Sequence, residues 1–107
     1  MVNYSLQLDS IFGSLADPTR RSILERVAEV ELTVSEIAES YNMSLAAISK
    51  HLKILEKAQL IIKRRNGKQQ LVHASPTALR DAATYLEHYK DMWEQRFDSL
   101  ENFLKNN

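Results

Sequence analysis

The chain has 107 residues, of which 44% are hydrophobic and 26% are charged, with a net charge of zero and no cysteine. This length and composition suit one globular domain over residues 1–107, so disorder is not the default expectation. The lack of cysteine excludes disulfides, thiolate metal sites and cysteine nucleophiles. Because no apolar run reaches membrane-spanning length and the N-terminus lacks a secretion signal, we expect a cytoplasmic protein with no membrane partner.

The charge is unevenly distributed along the chain. Residues 44–68 hold seven basic residues and one acid, a net charge of +6, whereas residues 24–43 hold five acids and one base. A strongly basic segment in a neutral chain is typical of a face that binds an anionic partner.

The first 30 residues predict two helices, over residues 4–15 and 18–29. Asp17-Pro18 is a helix start, because Asp caps and Pro at the first helical position has no amide to leave unpaired. Arg20 and Arg21 oppose the dipole of the second helix in its first turn. They indicate either an ion pair with a nearby acid or a contact with phosphate.

Two further short helices follow. Thr33 and Glu36 have the spacing of a capping box at the start of a helix over residues 34–41. Asn42 makes the turn, since Asn tolerates the left-handed conformation, and Ser44 then caps a helix that reaches Lys57. Two helices joined by so short a turn predict a helix-turn-helix over residues 33–57.

The second of these helices has two contrasting sides. Apolar residues at helical spacing predict a buried stripe, formed by Leu45, Ile48, Leu52 and Leu55. Small, hydroxylated and basic residues occupy the opposite side, as expected of a helix that enters a DNA groove.

Residues 60–74 predict a β-hairpin, or wing. The expected strands are residues 60–65 and 68–74, with Asn66-Gly67 as the two central turn residues, both at positive φ. Arg64, Arg65 and Lys68 would then cluster at the tip. They are there either for solubility or, as we favour beside a basic helix, for contact with phosphates or the minor groove.

The last predicted helix spans residues 76–104, after a second cap-and-proline start at Ser75-Pro76. Its apolar residues recur every 3.5 positions, as in a coiled-coil seam, and its length of about 43 Å exceeds what so small a domain can cover. A second copy of the chain is the economical partner. The residues expected to dimerise are Leu8, Phe12, Leu86, Tyr89, Trp93, Phe97, Leu100 and Leu104. Tyr85, Tyr89 and Trp93 are also candidates for lining a small-molecule pocket, although aromatic residues at this spacing usually form a core.

Three segments resemble the ArsR-type (ArsR/SmtB-like) winged helix-turn-helix repressors of bacteria. They are ADPTRRSIL, LTVSEIAESYNMSLAAISKHLKILEKAQLI and KRRNGKQQLVHAS, and the likeness runs from Ile11 to Leu104. It implies a mainly α fold with a small β-hairpin wing, and a homodimer formed through the N- and C-terminal helices. It also implies repression from a partly palindromic double-stranded DNA operator, with an inducer, often a metal ion, that lowers DNA affinity.

The resemblance also implies which residues face DNA. On the helix they are Ser44, Ala46, Ala47, Ser49, Lys50, His51 and Lys53, and on the wing they are Arg64, Arg65 and Lys68. His51 could equally be a residue that packs between helices.

The chain departs from the family's metal sensors. Thr33, Val34 and Ser35 stand where such sensors have cysteines, and Asp81 and His88 lack the further ligands of the site on the last helix. The chain therefore resembles a branch without the usual metal ligands, and we expect no cofactor and leave the inducer unidentified. Gln59 replaces the family's usual glycine after the helix over residues 44–57, which we call the recognition helix. This replacement predicts a weaker helix end.

Three other functions remain as alternatives. A metal or small-ligand sensor could use His51, His73 and His88 with Asp81, Asp91 and Glu94, in a site that the sequence does not make recognisable. A protein-interaction module would show aromatic or aliphatic anchors on the recognition face, whereas this face shows Lys, Ser and Ala. An enzyme is not expected, because there is no Gly-rich phosphate loop, nucleophile motif or paired acid.

Overall fold

The computed structural model describes residues 4–106, with side chains from residue 7 onward. In chain order the elements are α1 (Tyr4–Leu15), α2 (Pro18–Glu29), β1 (Leu32–Thr33), α3 (Val34–Ser40), α4 (Leu45–Lys57), β2 (Ile61–Asn66), β3 (Gln69–Ala74) and α5 (Pro76–Lys105). The order confirms the predicted fold class, a mainly helical chain with a hairpin between the fourth and fifth helices. The helix bounds agree with the prediction to within one residue.

The hydrophobic core lies between the first four helices and the sheet. Its fully buried side chains are Ile11, Ile23, Ile37, Ile48, Leu52, Leu55, Leu60 and Val72. Leu8, expected at a dimer interface, is only 8% exposed and belongs to this core within one copy of the chain.

The sheet has three antiparallel strands in the order β1-β3-β2. Strand β1, in which Leu32 pairs with Val72 and Thr33 with Leu71, was not predicted. Two residues are too few to show alternation, and Thr33 was already assigned as the cap of α3. It holds both roles, because its Oγ1 accepts from the Glu36 amide and its own amide donates to the Glu36 carboxylate. The base of the wing is therefore tied to the start of the helix-turn-helix.

The predicted hairpin turn is wrong by one residue. Asn66 pairs with Gln69, so the two central residues are Gly67 and Lys68. Of these two, only Gly67 has a positive φ, +65°. One positive φ is sufficient when glycine takes the first central position, as in a type II′ turn. The shift places Lys68 within the tip itself.

Two non-glycine residues adopt the left-handed conformation at helix ends. Asn42 does so in the helix-turn-helix turn, with φ 52°, as predicted. Gln59 does so after α4, with φ 62°, while its amide donates to the Glu56 carbonyl and the Leu60 amide donates to the Leu55 carbonyl. These two bonds form a Schellman cap. The helix end is thus hydrogen-bonded, at the conformational cost of a side chain where glycine would be unstrained.

Helix α5 has 30 residues and extends beyond the rest of the chain. Its buried residues are Ala78 and Ala82, both near its start. The radius of gyration is 18.2 Å, against about 13 Å for a compact domain of 100 residues.

Ser75 precedes α5, but its side chain makes no capping hydrogen bond, so that part of the predicted start is wrong. Within residues 4–106, no helix is both long enough and apolar enough to cross a bilayer.

Candidate nucleic-acid interface

Helix α4 is held by one side and exposes the other. Ile48, Leu52 and Leu55 are buried, and the Ser44 hydroxyl caps the helix by accepting from the Ala47 amide at 3.1 Å. The residues predicted to face DNA are mostly exposed: Ser44, Ala46, Ser49, Lys50 and Lys53 are exposed, and Ala47 is half-buried.

Leu45 does not belong to the buried stripe, contrary to the prediction. Its side chain is 56% exposed. Leu45 is the first residue of α4, and the buried part of the helix begins at Ile48.

A cleft brings the recognition helix and the wing together. Leu45 and Ser49 contribute from α4, and Arg65 and Lys68 from the hairpin. The remaining lining residues are Thr33, Val34, Ser35, Gln69 and Gln70. The sequence predicted the helix and the wing separately, and the structure places side chains of both along one surface depression.

Two of the wing cations are already paired with acids. The Arg64 guanidinium donates to both carboxylate oxygens of Glu31, at 2.8 Å and 2.6 Å. This hydrogen bond, and to a lesser degree the charges of Arg64 and His73, hold the pKa of Glu31 below its usual value. Lys63 lies 3.3 Å from Glu56.

Arg65 and Lys68 have no ion pair with any acid in the described part of the chain. The structure thus divides the predicted tip cluster into one paired cation, Arg64, and two cations without an acid partner. The pairing with Glu31 was not predicted, because nothing in the local pattern places Glu31 beside a residue 33 positions further along the chain.

His51 lies between helices. Its Nδ1 is 3.3 Å from a terminal nitrogen of Arg20 and 3.9 Å from a carboxylate oxygen of Asp17, and the ring is half-buried. Nδ1 can accept a hydrogen bond from the guanidinium only when it carries no proton. Of the two predicted roles, this placement favours packing between helices.

Arg20 and Arg21 have a role that neither of the two interpretations included. Arg20 donates to the Ser14 and Gly13 carbonyls at 2.8 Å and 3.2 Å, and Arg21 donates to the Leu15 carbonyl at 2.7 Å. Both guanidiniums therefore cap the C-terminal end of α1, where a positive charge is favourable. Through its contact with His51, Arg20 also connects α1 to the recognition helix.

The three histidines considered as metal ligands lie apart. His51 is on α4, His73 on β3 and His88 on α5. Among the described residues, no group of three or more His, Asp or Glu side chains is placed to hold a metal ion.

Aromatic rings form a continuous row along one side of α5. Neighbouring ring centroids are 5.9 Å apart for Tyr85–Tyr89, 5.9 Å for Tyr89–Trp93 and 5.5 Å for Trp93–Phe97. Most of the predicted dimer residues on this helix are exposed, namely Leu86, Tyr89, Phe97, Leu100 and Leu104, and Trp93 is half-buried. Phe12 on α1 is 39% exposed. Contiguous exposed apolar surface of this kind commonly marks an interaction site.

Comparison with known proteins places the chain among bacterial regulators. Residues 17–63 match the model of the family described as "Bacterial regulatory protein, arsR family". The transcriptional repressor SdpR of Bacillus subtilis is 33% identical over 82 residues, which cover 77% of this chain and 91% of SdpR.

Solved structures agree in fold. A crystal structure of an ArsR family transcriptional regulator superposes with a TM-score of 0.79 at 33% identity, covering 88% of this chain and 97% of that one. The homodimeric winged helix-turn-helix DNA-binding domain of a possible ArsR-family regulator from Mycobacterium bovis gives a TM-score of 0.65 at 27% identity, covering 79% and 80%. These relatives are named as regulators, and none of the three is named as an enzyme.

Proposed function

This chain belongs to the ArsR family of bacterial regulatory proteins, and we propose that it represses transcription as a homodimer bound to a partly palindromic DNA operator in the cytoplasm. The observation that carries the proposal is the shared cleft. Because Ser49 of the recognition helix and Arg65 and Lys68 of the wing line one depression, a single duplex can meet base-reading and phosphate-binding groups together.

The exposed side of α4 supplies the base-reading groups. Lys50 is suited to donate to the acceptors of guanine, Ser49 to a base edge, and Ala46 and Ala47 to touch a thymine methyl group. Ser44 and Lys53 flank this set and suit the phosphates at either end of it. His51 contributes indirectly, since its ring is engaged with Arg20.

The wing supplies charge. Arg65 and Lys68 are free to follow the backbone or enter the minor groove. Arg64 shares the same strand, but its guanidinium is already engaged by Glu31. The carboxylate thus competes with phosphate for this guanidinium and reduces the positive charge that it offers to DNA.

The aromatic row on α5, with Phe12 on α1, is the proposed dimer interface. A homodimer would cover the row and place two recognition helices about a two-fold axis, which matches a palindromic operator. The homodimeric state of the relative from Mycobacterium bovis supports this arrangement.

Selection of bound duplexes from a random pool, followed by fluorescence anisotropy at several salt concentrations, tests the proposal. We expect an imperfect palindrome with half-sites roughly one helical turn apart, and an affinity that falls steeply with salt. Lys50→Ala should relax sequence preference, whereas Arg65→Ala should weaken all duplexes about equally.

Lys105→Ala is the matched control, since it removes the same charge from an exposed position at the end of α5. It should leave both properties unchanged. If no sequence is enriched, and binding at low salt is weak and shows no sequence preference, the exposed side of α4 and the wing do not recognise DNA sequence.

A further inference from the structure

Leu45 is an apolar side chain on an otherwise polar reading surface. It is 56% exposed and lines the cleft that contains Ser49, Arg65 and Lys68. Apart from Val34, which is half-buried, and Leu45, the lining residues carry hydroxyl, amide or cationic groups.

The fold does not need the Leu45 side chain. Ile48, Leu52 and Leu55 anchor α4 in the core without it. The cap at the start of the helix is made by the Ser44 hydroxyl and the Ala47 amide. Leu45 can therefore be shortened without removing a core contact or a hydrogen bond.

The chemistry of the DNA major groove limits what such a side chain can recognise. Base edges there present hydrogen-bond donors, acceptors and one apolar group, the C5-methyl of thymine. A leucine has no hydrogen-bonding group, so it discriminates between bases only through that methyl. Leu45 also precedes Ser49 by four residues, so both side chains lie on the same side of α4.

We infer that Leu45 determines specificity by contacting the methyl group of a thymine in each half-site, next to the base pair met by Ser49. This inference rests on the proposed DNA-binding function and deepens it. It assigns to the recognition surface a residue that the sequence pattern had placed in the core.

Replacement of thymine by uracil tests the contact, because it removes the methyl group and leaves every hydrogen-bonding group in place. In the selected operator, each thymine is replaced in turn and affinity is measured by anisotropy for the wild type and for Leu45→Ala. A thymine met by Ala46 or Ala47 should respond to the replacement equally in both proteins. At one further thymine per half-site, we expect the replacement to weaken the wild type about fourfold, the effect of one buried carbon. The same replacement should not affect Leu45→Ala.

Ile54→Ala is the matched control. Ile54 is also a partly exposed aliphatic residue on α4, at 40%, but it does not line the cleft. This variant should keep the wild-type response to uracil, and thermal unfolding should show that both variants are folded.

The possible outcomes distinguish a failure of this inference from a failure of the proposed DNA-binding function. Suppose that the wild type selects a sequence, but Leu45→Ala responds to uracil at every thymine as the wild type does, or the half-site contains no thymine. Leu45 then does not determine specificity, while the proposed DNA-binding function stands. If the wild type selects no sequence, the proposed function fails and the inference fails with it.

Discussion

Arg64 on β2 donates two hydrogen bonds to the carboxylate of Glu31, the residue that precedes β1, at 2.8 Å and 2.6 Å. This pair neutralises one of the three cations expected at the wing. A carboxylate bound in this way competes with DNA phosphate for the same guanidinium. Glu31 therefore limits the positive charge that the wing presents.

Glu31→Gln should release Arg64 and strengthen binding to every duplex. Because one more cation then becomes available to phosphate, the slope of log K against log salt should steepen by about one. Anisotropy titrations on the selected operator and on an unrelated duplex measure both quantities.

Glu29→Gln is the control for the change in net charge, since Glu29 is exposed on α2. It should raise affinity less and leave the slope unchanged. Equal slopes for the wild type and Glu31→Gln would mean that Arg64 binds phosphate despite Glu31, or never does.

Glu36 predicts a loss of stability in acid. Its pKa is lowered from 4.5, mainly by the hydrogen bond from the Thr33 amide. A carboxyl group whose pKa is lower in the folded state stabilises the fold above its unfolded-state pKa, and this contribution disappears as the pH falls through the folded-state pKa. The wild-type melting temperature should therefore decrease as the pH is lowered from about 4.5 towards more acidic values.

Glu36→Gln tests this dependence without removing the capping box, because glutamine can still accept from the Thr33 amide. The variant should lose less stability than the wild type between neutral and acid pH. Thermal melts followed by circular dichroism over that range measure the difference, and parallel curves would contradict the assignment.

Gln59→Gly should stabilise the chain by about 1 kcal/mol. Gln59 holds φ at 62°, and glycine adopts this conformation without the steric cost that a Cβ imposes. Urea unfolding measures the gain. Gln59→Ala keeps the Cβ and should show no comparable gain; if both substitutions stabilise equally, backbone strain is not the cause.

Phe97→Glu should shift the proposed dimer towards monomer, since it places a charge within the aromatic row of α5. Sedimentation equilibrium measures the assembly. The affinity for a full palindrome should fall much more than the affinity for a single half-site. Glu94→Gln, an exposed change one turn away, should leave the assembly intact; a Phe97→Glu protein that dimerises like the wild type would place the interface elsewhere.

Features governed by local chemistry were predictable from the sequence. Asp17 and Pro18 begin α2, and Thr33 and Glu36 begin α3, because a cap and its partner lie within three residues of each other. The recognition helix was predictable for the same reason, together with its apolar period.

Features that depend on the rest of the fold were not predictable. Periodicity identified the side of α4 that Leu45 shares with the core, but not how far along the helix the core extends. Strand β1 exists only because β3 pairs with it. Arg64 was expected to be available to phosphate, but the fold places the Glu31 carboxylate within hydrogen-bond distance of its guanidinium.

Helix α5 is buried against the rest of the chain near its start, at Ala78 and Ala82, whose side chains end at the Cβ atom, with Leu79 partly buried beside them. Its 30 residues extend about 45 Å from end to end. A change of about 5° in tilt at those two alanines would displace the far end by about 3 Å, about a quarter of the width of a major groove. The angle at this small contact would thus set the distance between the two recognition helices of a dimer. A bulkier side chain at Ala78 or Ala82 would alter which half-site spacing the protein accepts.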